Sequence, residues 1–192
     1  PSSSMKGKNV NGHILDNSGI FFNEGCIEYR EYGGNIVNNT NYFENTGSVV
    51  SRKFGGTFFN SDTILNKGVI ELDTSNIGLT NQAFFLNDTA GKIYADFMQS
   101  GISNSSTGQF DNLGEIWIAR DTGIGSNGLE NAGNFKNANL INIGQHGPVF
   151  TFALENTGQF YNEDLAQIII NINDQILNPQ KGILNSTGAS FY

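Results

Sequence analysis

One unit recurs along the chain and limits its folding options more than any other feature: an aromatic residue, an Asn, a Gly, then alternating aliphatics. Its clearest copy is Phe110-Asp111-Asn112-Leu113-Gly114-Glu115-Ile116-Trp117-Ile118. The Asn of this unit returns at 23, 45, 66, 87, 112, 137, 162 and 185, in steps of 22, 21, 21, 25, 25, 25 and 23 residues. A period of this length, carried by short alternating segments, is the mark of a solenoid.

The offsets around that Asn are even. Two residues before it stand Phe21, Phe43, Ile64, Phe85, Phe110, Phe135, Phe160 and Ile183. Six before it stand Asn17, Asn39, Asn60, Asn81, Ser106, Asn131, Asn156 and Pro179; eight before it run Leu15, Val37, Phe58, Leu79, Asn104, Leu129, Leu154 and Leu177. Six after it come Tyr29, Ser51, Leu72, Ile93, Ile118, Ile143, Ile168 and Phe191. Strand side chains alternate faces, so even offsets share one face, and that face is the interior. The expected fold is all-β: a right-handed parallel β-helix of about eight coils of 21–25 residues. Adjacent coils would stack about 4.8 Å apart. The Asn columns would sit at corners, bonding to coils above and below and tolerating left-handed backbone there. The neighbouring glycines serve a similar backbone need.

Composition agrees. Charged residues make up 15% of the chain, against 38% hydrophobic, with 24 Gly and 15 Phe. Helix is disfavoured by that Asn and Gly density and by the lack of a 3.6-residue apolar period. Residues 1–11 read as an N-terminal tail or cloning remnant, and 12–192 as the solenoid, a fragment of a longer protein. The net charge of −8 argues against nucleic acid, because phosphate binding needs clustered Lys and Arg. No apolar run is long enough for membrane insertion.

Catalytic signals are sparse. His13 and His146 lie at opposite ends of the array, and the single Cys26 has no His beside it. No cofactor and no metal site are expected. Glu130 and Glu155 occupy one outward offset on adjacent coils, roughly 5 Å apart when stacked, the spacing retaining glycosidases use. No Lys or Arg falls near them to orient a substrate. Asn38, Asn87, Asn104 and Asn185 each head an N-glycosylation motif; Asn87 and Asn185 should point inward.

The odd offsets should face water, yet Ile20, Phe22, Tyr42, Leu65, Phe84 and Leu86 are odd and apolar, on adjacent coils of the first half. The later equivalents are mostly polar: Gln109, Asp111, Asn134, Lys136 and Gln159, with Tyr161 the exception. An apolar stripe of this kind is a candidate partner or dimer surface.

Units such as Phe43-Glu44-Asn45-Thr46-Gly47-Ser48-Val49-Val50 resemble the coils of surface adhesins. Two groups share the pattern: bacterial filamentous-haemagglutinin-like exoproteins and fungal hyphally regulated cell-wall adhesins. The resemblance spans residues 12–192 and implies a secreted or wall-anchored adhesion module; no family binding residues carry over. The expected function is therefore a non-catalytic extracellular adhesion or scaffold module at the cell surface. Its partner would be a host or cell-surface glycan or protein, and it would self-associate through the stripe or the C-terminal coil. A carbohydrate-active enzyme is the competing class.

Overall fold

A computed structural model of the protein describes residues 4–7, 13–30, 35–52, 57–73, 77–96, 99–121, 123–145, 147, 149, 151–171 and 181–192. It is an all-β parallel solenoid of three sheets, and each sheet takes every third strand of the chain. Sheet A holds β1 (Ser4–Gly7), β4 (Cys26–Arg30), β7 (Ser48–Arg52), β10 (Val69–Asp73), β13 (Lys92–Asp96), β16 (Glu115–Ile118), β19 (Leu140–Ile143) and β22 (Gln167–Ile170). Sheet B holds β2 (Leu15–Asn17), β5 (Val37–Asn39), β8 (Phe58–Asn60), β11 (Ile77–Asn81), β14 (Ser100–Asn104), β17 (Leu129–Asn131), β20 (Phe152–Asn156) and β23 (Lys181–Asn185). Sheet C holds β3 (Phe21–Asn23), β6 (Tyr42–Asn45), β9 (Thr63–Asn66), β12 (Phe84–Asn87), β15 (Gln109–Asn112), β18 (Asn134–Asn137), β21 (Gln159–Asn162) and β24 (Ser190–Phe191). Ser4–Gly7, which the sequence reading sets in a tail, pairs in register with β4.

The core is built from stacked columns. Sheet C contributes Phe21, Phe43, Ile64, Phe85, Phe110, Phe135, Phe160 and Phe191. From Phe85 onward the rings lie nearly parallel with centroids 4.6, 4.7, 4.9 and 4.9 Å apart. Ile64 interrupts the aromatic run. Phe58 of sheet B fills that place, edge-on to Phe43 at 5.8 Å and to Phe85 at 6.4 Å. Sheet A supplies two aliphatic columns, one of them Ile27, Val49, Ile70, Ile93, Ile116, Ile141 and Ile168. In the other column Ser51 stands between Tyr29 and Leu72, and its hydroxyl is buried with no hydrogen-bond partner.

Two asparagine ladders close the corners. The first links Asn17, Asn39, Asn60, Asn81, Asn104, Asn131, Asn156 and Asn185, each Nδ2 donating to the Oδ1 of the next at 2.7–2.9 Å. The second links Asn23, Asn45, Asn66, Asn87, Asn112, Asn137 and Asn162 in the same sense at 2.7–2.8 Å. The same Nδ2 also donates to the backbone of the following rung, as from Asn112 to Leu140 O at 3.2 Å. Only nitrogen can donate to a carbonyl, so these bonds fix which end of each amide faces which way.

Several columns differ from the even-offset assignment. Asn104 belongs to the first ladder and Ile102 to the aliphatic column, where the offsets predict Ser106 and Asn104. Ala95 and Ile170, not Ile93 and Ile168, align with Leu72 and Ile143. In the last coil Asn185 stacks on Asn156, Ile183 on Leu154, and Phe191 on Phe160. The last coil is off by a whole strand, because Asn185 belongs to the first ladder and not the second. The other shifts come from longer turns, of which the chain has four among the described residues, closed by Gly91 N to Asp88 O, Gly108 N to Ser105 O, Ala166 N to Glu163 O and Ala189 N to Ser186 O. Each adds two residues, which shifts the column but keeps the face. Leu177, Pro179 and His146 lie outside the described residues.

The reason for the corner glycines is also different. No ladder Asn has positive φ, and neither does Gly133. A Cβ on Gly133 would instead fall on the carbonyl oxygens of Gly108 and Ser105 in the preceding rung. Gly133→Ala should therefore destabilise the protein by about 1–3 kcal/mol through overpacking. Gly19, with nothing near its Cβ position, should accept Ala neutrally or gain up to about 1 kcal/mol from a stiffer unfolded chain. Denaturant midpoints of the two variants would separate these cases.

Candidate functional site

The outward side of sheet C carries two columns. One runs Tyr42, Thr63, Phe84, Gln109, Asn134, Gln159 and Ser190. The other runs Phe22, Glu44, Leu65, Leu86, Asp111, Lys136 and Tyr161. All six residues of the apolar stripe fall on this side, on β3, β6, β9 and β12, with Ile20 immediately before β3. Ile20 and Phe22 are 71% and 61% exposed, whereas Tyr42, Leu65, Phe84 and Leu86 are half-buried. Phe22 and Tyr42 are in tilted ring contact at 6.0 Å.

Glu44 interrupts the patch and is neutralised within it. Lys67 Nζ donates to Glu44 Oε1 at 2.8 Å, and Tyr42 Oη donates to Oε2 at 2.8 Å. Those two donors, Lys67 foremost, hold the Glu44 carboxyl below the ordinary carboxylate range. The bond to Glu44, aided by burial, raises the Tyr42 phenol. Beyond β12 the same side turns polar, with Lys136 paired to Glu163 at 2.7 Å.

The outward side of sheet B holds the carboxylate pair. Glu130 and Glu155 are in-register neighbours on β17 and β20. The buried Asn127 joins them, its Nδ2 donating to Glu130 Oε1 at 3.0 Å and to Glu155 Oε2 at 2.7 Å, while its Oδ1 accepts from Phe152 N. Ser100 Oγ donates to Glu130 Oε1 at 3.1 Å. Both acids border an open cavity of about 240 Å³ that Ser103, Ser105, Ala132 and Thr157 also line.

Sheet A displays an outward cluster that the repeat pattern does not single out. Tyr94 and Trp117 are in-register neighbours on β13 and β16. The Arg120 guanidinium lies 4.2 Å from the Tyr94 ring centroid and pairs with Asp121 at 2.7 Å and Asp96 at 3.8 Å. Trp117 Nε1 donates to Glu115 Oε2 at 3.1 Å. Burial, and then the charge of its neighbour Asp96, push the Asp73 carboxyl up. The outward parity of Tyr94 and Trp117 was available in the sequence. Arg120 and Asn127 lie between the repeated strands, in a segment whose Ile124 bridges Val149 of the next coil.

His13 is exposed and accepts a bond from Asn35 N at Nδ1, and Cys26 is a half-buried thiol. Among the described residues no group of three or more His, Cys, Asp or Glu could hold a metal ion. Of the four glycosylation motifs, Asn87 and Asn104 are buried ladder members, and Asn185 accepts the ladder bond from Asn156. Asn38 faces outward on β5, its Nδ2 on Asp16 Oδ1 at 2.6 Å. Among the described residues no helix is long and apolar enough to cross a membrane.

No protein-family model, curated protein or solved structure matches the chain.

Proposed function

We propose that the chain is a non-catalytic adhesion or scaffold module of an extracellular, cell-surface protein. The outer side of sheet C, around Ile20 and Phe22, would meet a cell-surface glycan or protein. The observation that carries this reading is the position of two well-exposed apolar side chains, Ile20 and Phe22, beside half-buried Tyr42, Leu65, Phe84 and Leu86 on one sheet face. Large apolar groups at such exposure raise the free energy of the lone chain and are covered favourably by a partner. The acidic surface, with pI about 4.6, favours neutral or basic partners over nucleic acid. Glycan arrays and cell-surface binding assays test the proposal. Phe22→Ser should weaken binding about tenfold if the ring is an anchor, whereas Lys136→Ser, on the polar half of the same face, should leave it unchanged. Equal binding by both variants would remove sheet C from the reading. Light scattering of the two variants across concentration would show whether a second copy is the partner.

The competing reading, a carbohydrate-active enzyme, is favoured by one observation: Asn127 holds Glu130 and Glu155 together at the wall of an open cavity. Depolymerisation of a polysaccharide that is lost in both Glu130→Gln and Glu155→Gln would replace the adhesion reading with this one.

A further inference from the structure

Tyr161 ends the run of outward sheet C positions described above, and the next rung places Tyr192 directly over it. β21 and β24 pair in register at Phe160 and Phe191, and each of these inward rings is followed by an outward tyrosine. The two phenol rings are nearly parallel, 5° apart, with centroids separated by 4.9 Å. Tyr161 is 40% exposed and Tyr192 66%, so an oxidant in solution reaches both. Tyr161 Oη donates to Gln159 Oε1 at 3.0 Å, and backbone bonds from Tyr192 N to Phe160 O and from Asn162 N to Tyr192 O hold the two residues in place.

We propose that Tyr161 and Tyr192 form a site of oxidative cross-linking, joined as an intramolecular dityrosine by a one-electron oxidant such as a haem peroxidase with hydrogen peroxide. Each phenol loses one electron and its hydroxyl proton. The two phenoxyl radicals couple through a new bond between ring carbons ortho to the oxygens. The hydrogens on those carbons then move as protons to the two oxygens, restoring both aromatic rings. One hydrogen peroxide takes up the two electrons and two protons and leaves as two waters. The chain therefore loses two hydrogens and gains one carbon–carbon bond.

The fold favours this pair because it supplies the encounter. Two groups held side by side react far faster than the same groups meeting by diffusion. The other described tyrosines are placed differently. Tyr29 is fully buried, Tyr42 is engaged by Glu44, and Tyr94 lies beneath Arg120. The bond would clamp β24 to β21 and close the chain segment between them. Closing such a segment limits the unfolded chain as a disulfide does.

The test is to treat the full 192-residue chain with a haem peroxidase and hydrogen peroxide. The expected result is dityrosine fluorescence from the monomer, a mass lower by two hydrogens, and a proteolytic fragment linking the peptides of Tyr161 and Tyr192. Tyr161→Phe and Tyr192→Phe should each abolish the monomeric product, while Tyr42→Phe and Tyr94→Phe should retain it. The cross-linked chain should also unfold at a higher denaturant concentration. Fluorescence arising only from covalent dimers would overturn the proposal. So would a monomeric product that survives Tyr192→Phe, or no product under conditions that couple free N-acetyltyrosine.

Discussion

Replacing Phe110 by Ala should cost about 3–5 kcal/mol of folding stability, read as a fall in denaturant midpoint at unchanged slope. Phe110 is fully buried, with Phe85 and Phe135 stacked on its two faces at 4.6 and 4.7 Å. Truncation removes the ring and both stacking contacts, each of which adds about 0.5–1.5 kcal/mol beyond area burial. The backbone cannot collapse into the gap, because β12, β15 and β18 are pinned in register by their hydrogen-bond ladder. Two controls set the scale. Phe22→Ala on the outer side of the same sheet and Glu115→Ala should each stay within about 0.5 kcal/mol, as surface substitutions do. A large loss for Phe22 and a small one for Phe110 would show that the inner and outer sides of sheet C had been exchanged.

Asn112→Asp tests the ladder in a way that Asn112→Ala does not. Asn112 is fully buried; it accepts from Asn87 and donates from its one Nδ2 to Asn137 Oδ1 at 2.8 Å and Leu140 O at 3.2 Å. Removing the side chain leaves those partners short of a bond and should cost about 1–3 kcal/mol, independent of pH. The aspartate variant replaces the donor by a second oxygen, so a buried carboxylate faces two acceptors. The cost at neutral pH should be about 3–5 kcal/mol, that of an uncompensated buried charge. Burial and the facing oxygens raise the pKa of the introduced acid in the folded state. Its penalty is therefore complete above that raised value. It shrinks as pH falls through it, and is gone below the unfolded-chain value of about 3.9. Relative to wild type, the Asn112→Asp variant should recover stability on acidification and the Asn112→Ala variant should not. Parallel pH profiles for the two variants would show that the amide nitrogen is not the donor in this ladder.

The sequence reached the faces of the strands more reliably than their alignment, and the reason is parity. The turns at Asp88–Gly91, Ser105–Gly108, Glu163–Ala166 and Ser186–Ala189 each add two residues. Side chains alternate with period two, so inward residues stay inward while the positions after such a turn move two residues along their strand, into the neighbouring inward column. Counting from the recurring Asn therefore identifies Phe160 and Leu129 as core residues, yet it assigns Asn104 and Ile93 to the neighbouring column. Phe191 it assigns to the wrong sheet, because Asn185 belongs to the first ladder. The outward stripe was legible for the same reason, since Phe22, Leu65 and Leu86 are odd in any even-shifted register. Other features lay outside the repeat logic. Asn127 and Arg120 sit between repeats, so no column predicts that Asn127 gathers two carboxylates or that Arg120 covers Tyr94. The stacked tyrosines do leave a signal in the sequence: Phe-Tyr occurs at 160–161 and again at 191–192. The long turn before the second copy hides their alignment.

The one-way sense of the asparagine ladders gives the molecule an electrical direction. In a β-sheet the peptide dipoles alternate and nearly cancel across the strands. The side-chain amides do not alternate. From Asn17 to Asn185 and from Asn23 to Asn162, each nitrogen points to the later rung and each oxygen to the earlier one. Their dipoles add in the manner of peptide units in a helix, with the positive pole toward the later rungs. The two directions along the ladders are therefore chemically unlike: amide oxygens face the earlier rung and amide hydrogens the later one. A second solenoid could extend these ladders only head to tail, because a twofold junction would set donor against donor or acceptor against acceptor.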